Sequence, residues 1–148
     1  METVGVTERA ADGTNPTWSR TTVRVRYAET DQMGVVYHAN HIVWFEVGRV
    51  ELFRGRGKSY HEMETDGYYL TVGEVQCRYH SPARYDDLLT VKTRIKSAGA
   101  RIIKFEYEIV GEDGTRLATG ETMHIVTGPD GKPRPLPDHY LVPLKPQE

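Results

Sequence analysis

Residues 21–27 alternate apolar Val23, Val25 and Tyr27 with Arg24 and Arg26, the period of two that marks a strand with one buried face. The pattern then breaks. Polar residues run to Asp31, Gly34 signals a turn, and a long apolar stretch follows at Ile42, Val43, Trp44, Phe45, Val47, Val50, Leu52 and Phe53. Asn40 is a suitable N-cap and Gly55 and Gly57 are suitable stops, so this stretch predicts a helix over residues 41–54. Apolar positions nearly all round that helix predict burial on most of its sides. Four strand patterns follow, over residues 69–79, 88–97, 101–110 and 117–127, with no second helix of comparable length. Turn sequences at Ser97-Ala98-Gly99-Ala100 and Gly111-Glu112-Asp113-Gly114 join the last three strands as a meander. Beyond Gly128, the prolines 129, 133, 135, 137 and 143 predict an irregular strap over the surface. One buried helix against an antiparallel sheet of about five strands is an α+β layer arrangement. Such a sheet keeps exposed edges and an open face, for which self-association is the natural remedy.

Length and charge narrow the class. The chain of 148 residues suits one domain, here residues 21–148, preceded by a mobile N-terminal extension over residues 1–20. The extension carries Glu2, Glu8 and Asp12 and lacks the apolar core of a secretory signal. No stretch approaches the roughly 20 apolar residues of a membrane span. The single cysteine, Cys77, excludes an intrachain disulfide framework and fits a reducing, cytoplasmic setting. Within the strand pattern VQCRY it reads as a small packing residue. A net charge of -2 makes no electrostatic case for nucleic acid.

The candidate chemistry is concentrated between Tyr27 and Arg49. Asp31 on a glycine turn just before a helix start suits carbonyl chemistry. A carboxylate there can attack or activate water, while free helical N–H groups face the developing oxyanion. His38 reads either as an interior histidine or as a site residue, through its backbone N–H or through a ring that orients water or protonates a leaving group. Tyr27 reads as packing or as a hydroxyl bonded to Asp31 or to the substrate. Glu46 and Arg49 interrupt the apolar helix at a spacing of three. They read as an ion pair or interface contacts, with Glu46 on a substrate pocket as the alternative. His38, His41, His61 and His80 form no HxxxH or CxxC pattern, so no metal is expected. There is no P-loop or GxGxxG, and Gly55-Arg56-Gly57-Lys58 reads as a helix stop, so no nucleotide cofactor is expected either.

Two blocks, YAETDQMGVVYHAN from Tyr27 to Asn40 and SPARYDDLLTV from Ser81 to Val91, make the chain resemble the hotdog-fold acyl-CoA thioesterases of the 4-hydroxybenzoyl-CoA thioesterase type. That group includes the bacterial acyl-CoA hydrolases associated with the Tol-Pal system. The resemblance spans about residues 23–127. It implies a long helix wrapped by an antiparallel sheet, and a homodimer or homotetramer with active sites at the subunit interface. It also implies hydrolysis of an acyl-CoA thioester without metal or redox cofactor. In that reading Asp31 matches the catalytic carboxylate, position 38 supplies the N–H that polarises the carbonyl, and Tyr27 matches a tyrosine of the bacterial branch. Gly34, Val36, Glu46, Arg101 and Lys104 are the expected substrate-binding set, with Arg101 and Lys104 on the phosphates of coenzyme A. The family's heavier basic cluster is reduced here to Ala-Gly-Ala-Arg, which weakens or relocates that grip. Two alternatives accompany the enzyme: release of an acyl or polyketide chain from an acyl carrier protein, and a non-catalytic acyl-thioester-binding module. Thioester dehydratases share the fold, but their histidine-centred helix motif is absent.

Overall fold

The computed structural model describes residues 5–8, 18–57 and 60–146. Among them, six strands form one antiparallel sheet: β1 (Gly5–Glu8), β2 (Trp18–Arg24), β3 (Tyr69–Tyr79), β4 (Leu88–Ala98), β5 (Ile102–Gly111) and β6 (Arg116–Thr127). Their order across the sheet is β1-β2-β4-β5-β6-β3. The long helix α1 (Asn40–Gly55) packs chiefly against β2 and β4, and two short helices follow, α2 (Tyr60–Thr65) and α3 (Asp138–Leu144). The expected meander β4-β5-β6 forms, with Gly99 N–H donating to Ile102 O at 2.9 Å and Gly111 N–H to Thr115 O at 2.9 Å in its two turns.

Several boundaries differ from the sequence pattern. β2 begins at Trp18, and Gly5–Glu8 of the extension pairs with it from Glu8↔Trp18 to Gly5↔Thr21. The remainder of the expected mobile extension up to residue 17 lies outside the described residues. The strand also stops earlier than its alternation implies: Tyr27 enters a turn of 3-10 helix over Tyr27–Glu29. Asn40 is the first helical residue rather than the N-cap, and its side-chain amide donates to Glu29 O at 2.8 Å. The strap after Gly128 is not wholly irregular, since α3 ends it and buries Tyr140, Leu141 and Leu144.

One face of α1 supplies the core. Trp44, Phe45, Leu52 and Phe53 are buried against inward residues of the sheet such as Val23, Leu89, Val91, Ile103, Phe105 and Ile109. Phe45 stacks on Tyr107 with ring centres 4.3 Å apart. Each such side chain stabilises the fold by about 1.5–3 kcal/mol relative to exposure. Gly48 allows the helix to approach β4 closely, because a Cβ there would stand 2.2 Å from Thr93 Oγ1 and 3.0 Å from Val91 Cγ1. The expectation of a helix buried on most sides fails on the outer face, where Ile42, Val43 and Glu46 are exposed. Edge strand β3 is likewise open along nearly its whole length, with Val72, Val75 and Tyr79 exposed.

Candidate active site

Beyond β2 the chain is held by Val25 N–H donating to Asp87 O at 2.9 Å and Asp86 N–H to Val25 O at 3.0 Å. Those two bonds dock the end of β2 and the loop after it against the block from Ser81 to Val91. Glu29 is buried, and its carboxylate accepts from Arg26 N–H at 2.8 Å. Its carbonyl accepts from Tyr37 N–H at 2.8 Å as well as from Asn40 Nδ2, which ties the loop to the start of α1. The bridge Thr30↔Val36 closes a small hairpin around Asp31. Within it, Asp31 N–H donates to Val35 O at 2.8 Å and Gly34 N–H to Asp31 O at 3.0 Å. Gly34 has φ of 79°, a left-handed conformation that most residues adopt only at a cost.

The Asp31 side chain divides its two oxygens. Oδ1 accepts from Met33 N–H at 2.8 Å, a local turn bond, whereas Oδ2 has no partner among the described residues. The carboxylate is thus oriented by its own loop and still presents one oxygen outward. His38 follows the hairpin at the entry to α1, with its ring exposed and tilted against Tyr37 at 4.4 Å between centres. Its backbone N–H has no partner among the described residues. Its carbonyl, by contrast, accepts from the Tyr79 hydroxyl at 2.8 Å and faces His41 Nδ1 at 3.2 Å. His41 is buried, and burial lowers its pKa, so the ring is neutral at neutral pH. An acceptor carbonyl opposite Nδ1 requires the proton to sit on that nitrogen.

This hairpin, glycine turn and helix start fall within residues 25–144, which match the profile of the thioesterase-like superfamily. The chain belongs to that superfamily. It is 33% identical to the acyl-CoA thioester hydrolase YbgC of Escherichia coli O157:H7 over 132 residues, 88% of this chain and 98% of that protein. Among solved structures it is similar to the DHNA-CoA thioesterase from Staphylococcus aureus, with TM-score 0.78, 36% identity and 83% of each chain covered. It is also similar to the hypothetical protein TT1821 from Thermus thermophilus, with TM-score 0.80, 35% identity, and 84% and 95% of the two chains covered. The sheet and its single long helix are the hotdog architecture of these relatives.

The thioesterase-like chain gathers only part of the expected site. Asp31, Gly34 and His38 share the hairpin and the helix start. Tyr27 is adjacent in sequence, yet its side chain is 78% exposed and packs edge-on against Tyr85 at 5.6 Å, with no bond to Asp31 among the described residues. Val36 is buried beneath the loop, its N–H donating to Ala83 O at 2.8 Å, so it belongs to the core rather than to an open surface. Arg101 and Lys104 lie at the other end of the sheet. Tyr79, bonded to His38, pairs with Ala118 on β6, while Lys104 pairs with Met123 and Ile102 with Ile125. Five to seven residues of strand separate those positions, about 17–23 Å. Within one chain these cations are remote from Asp31.

The expected ion pair between Glu46 and Arg49 does not form among the described residues. Glu46 points outward beside Ile42 and Val43, whereas Arg49 is buried and donates from Nη1 to the Tyr107 hydroxyl at 3.1 Å. The Tyr107 hydroxyl lies 2.5 Å from Thr122 Oγ1, which in turn lies 2.8 Å from His124 Nε2. Burial and the nearby Arg49 charge push the His124 pKa down to about 4. Sequence reasoning missed this buried chain, and no local signal marks it, because its members come from α1, β5 and β6. It likewise missed Tyr79 and Glu29. No group of three or more His, Cys, Asp or Glu among the described residues could hold a metal ion. None of the described helices is long and apolar enough to cross a membrane.

Proposed function

We propose that this chain hydrolyses acyl-CoA thioesters to a free carboxylic acid and coenzyme A. The observation that carries the reading is the divided carboxylate of Asp31: Oδ1 is held by Met33 N–H, and among the described residues neither Oδ2 nor the His38 N–H at the helix start has a partner. A thioester is already reactive, so its hydrolysis needs an aimed nucleophile or water and a stabilised oxyanion. Oδ2 supplies the first. It either adds to the thioester carbon, giving an anhydride that water then cleaves, or takes a proton from the water that adds. In both routes the carbon–sulfur bond breaks and the thiolate leaves as coenzyme A. The His38 N–H, reinforced by the positive end of the α1 dipole, supplies the second. Neither role needs a metal or a redox cofactor.

Sequence similarity to YbgC of Escherichia coli O157:H7 and structural similarity to the Staphylococcus aureus DHNA-CoA thioesterase support coenzyme A as the thiol carrier. The exposed faces of α1 and β3 support a second copy completing the site. The single Cys77, with no disulfide partner in the chain, fits a cytoplasmic setting. The test is release of free thiol from short, long and aromatic acyl-CoAs, run beside the same acyl groups on an acyl carrier protein. Thiol release from acyl-CoA is the expected result. Release only from the carrier protein moves the substrate to that class, and binding without release makes the chain a thioester-binding module. Single turnover in ¹⁸O-water probes the two routes: label found in Asp31 establishes the anhydride route with water attacking the aspartyl carbonyl, because the water-activation route never labels the enzyme.

A further inference from the structure

The oxyanion donor proposed above, the His38 N–H, is aimed by the conformation of the His38 backbone, and a side chain far away in sequence bonds to the carbonyl of that residue. Tyr79 is on edge strand β3, and its hydroxyl donates to His38 O at 2.8 Å across a separation of 41 residues. That carbonyl belongs to the peptide whose N–H is that of Ala39. The buried His41 ring donates to the same oxygen from Nδ1 at 3.2 Å. Two donors on one carbonyl restrain rotation about the His38 backbone, and with it the direction of the N–H groups on either side. They also polarise the peptide, which makes the Ala39 N–H a stronger donor. The rings reinforce the arrangement: Tyr79 meets His41 edge-on at 4.9 Å, and His41 meets Trp44 in the core at 5.3 Å. Local burial pushes the Tyr79 hydroxyl up to about 12, so it remains an O–H donor at neutral pH.

Resting on the function proposed above, we infer that Tyr79 is a positioning residue for hydrolysis, holding the helix-start amides in the geometry that receives the oxyanion. It does not touch the reacting atoms. Its hydroxyl acts through the His38 carbonyl, and because Tyr79 lies on the strand that forms the sheet edge, the quality of the oxyanion site is tied to how that edge is held.

The test is Tyr79→Phe, which removes one oxygen and leaves the ring contacts. Losing a neutral hydrogen bond that matters mainly in the transition state is expected to lower kcat roughly three- to tenfold. KM and Tm should stay near wild type, and the Ala39 amide proton should move upfield in the NMR spectrum because its peptide is less polarised. An unchanged kcat overturns the inference. So does a loss confined to KM, or a fall in activity that merely tracks a fall in Tm, which would make the hydroxyl structural. Wild type and Asp31→Asn run in the same assay keep the two readings apart. A wild type that releases no thiol overturns both. A fully active Asp31→Asn beside an impaired Tyr79→Phe overturns the role given to the acid and supports the positioning role.

Discussion

Replacing Asp31 by asparagine separates chemistry from architecture, because the two carboxylate oxygens have different partners. Oδ1 accepts the Met33 N–H that shapes the hairpin, and the amide oxygen of asparagine can accept the same bond. The Gly34 turn and the Thr30↔Val36 bridge involve only backbone, so they survive the change. Folding and Tm should therefore be nearly unaffected. What is lost is a charged oxygen able to attack carbon or take a proton. A positioned proton-transfer group contributes about 10²–10⁴-fold, or about 2.7–5.4 kcal/mol of barrier. Asp31→Ala should lose at least as much activity. It also forfeits the Met33 bond, worth about 0.5–1.5 kcal/mol, which should lower Tm by a few degrees in a domain of this size. His38→Ala should cost less than Asp31→Asn, since the backbone N–H at the helix start remains. The assay is thiol release at saturating acyl-CoA, with Tm and oligomeric mass measured on the same samples. A folded Asp31→Asn protein turning over within about threefold of wild type would refute the assignment of the site.

Gly48→Ala should destabilise although alanine is the better helix former by about 1 kcal/mol. The new Cβ at 2.2 Å from Thr93 Oγ1 forces α1 off the sheet, at a cost of about 1–3 kcal/mol seen as a lower Tm. Adding Thr93→Ala should recover part of the loss, because it removes that oxygen, itself buried without a hydrogen-bond partner among the described residues. Stability should fall as pH drops from about 6.5 toward 4. In that window the unfolded His124 binds a proton that the folded one refuses, so the unfolded state gains, by roughly 2 kcal/mol at pH 5. Urea unfolding at pH 7 and pH 5 should register this fall, and a His124→Gln variant should show a smaller one. Sedimentation at micromolar protein should give at least a dimer, since edge strand β3 exposes Val72 and Val75 and helix α1 exposes Ile42 and Val43. A fully active monomer would contradict it.

Local pattern was enough to locate five of the six described strands, the meander turns, the long helix and the acid on its glycine turn, whereas β1 fell in the segment read as a mobile extension. Each of those depends on residues close in the chain: alternation along Val23 and Val25, turn glycines at 99 and 114, and an acid three residues before Gly34. Partner choice was not legible, because it depends on which distant strand comes alongside. Asn40 has the residue type of an N-cap, but it is the first helical residue, and its side-chain amide donates to Glu29 O across the loop. Arg49 stands three residues from Glu46, yet its guanidinium turns inward to Tyr107, 58 residues away, because the inner face of α1 lies on β5 there. Tyr79 carried no local mark of importance, and only the register of β3 beside the start of α1 brings its hydroxyl to His38. The sequence by itself determined the main strands, the long helix and the loop that carries Asp31, since those follow from nearest-neighbour backbone preferences and the period of apolar residues. The tertiary structure alone decided which polar groups are paired, which are left free for chemistry, and which apolar faces stay open, because hydrogen bonds and burial are satisfied by neighbours in space.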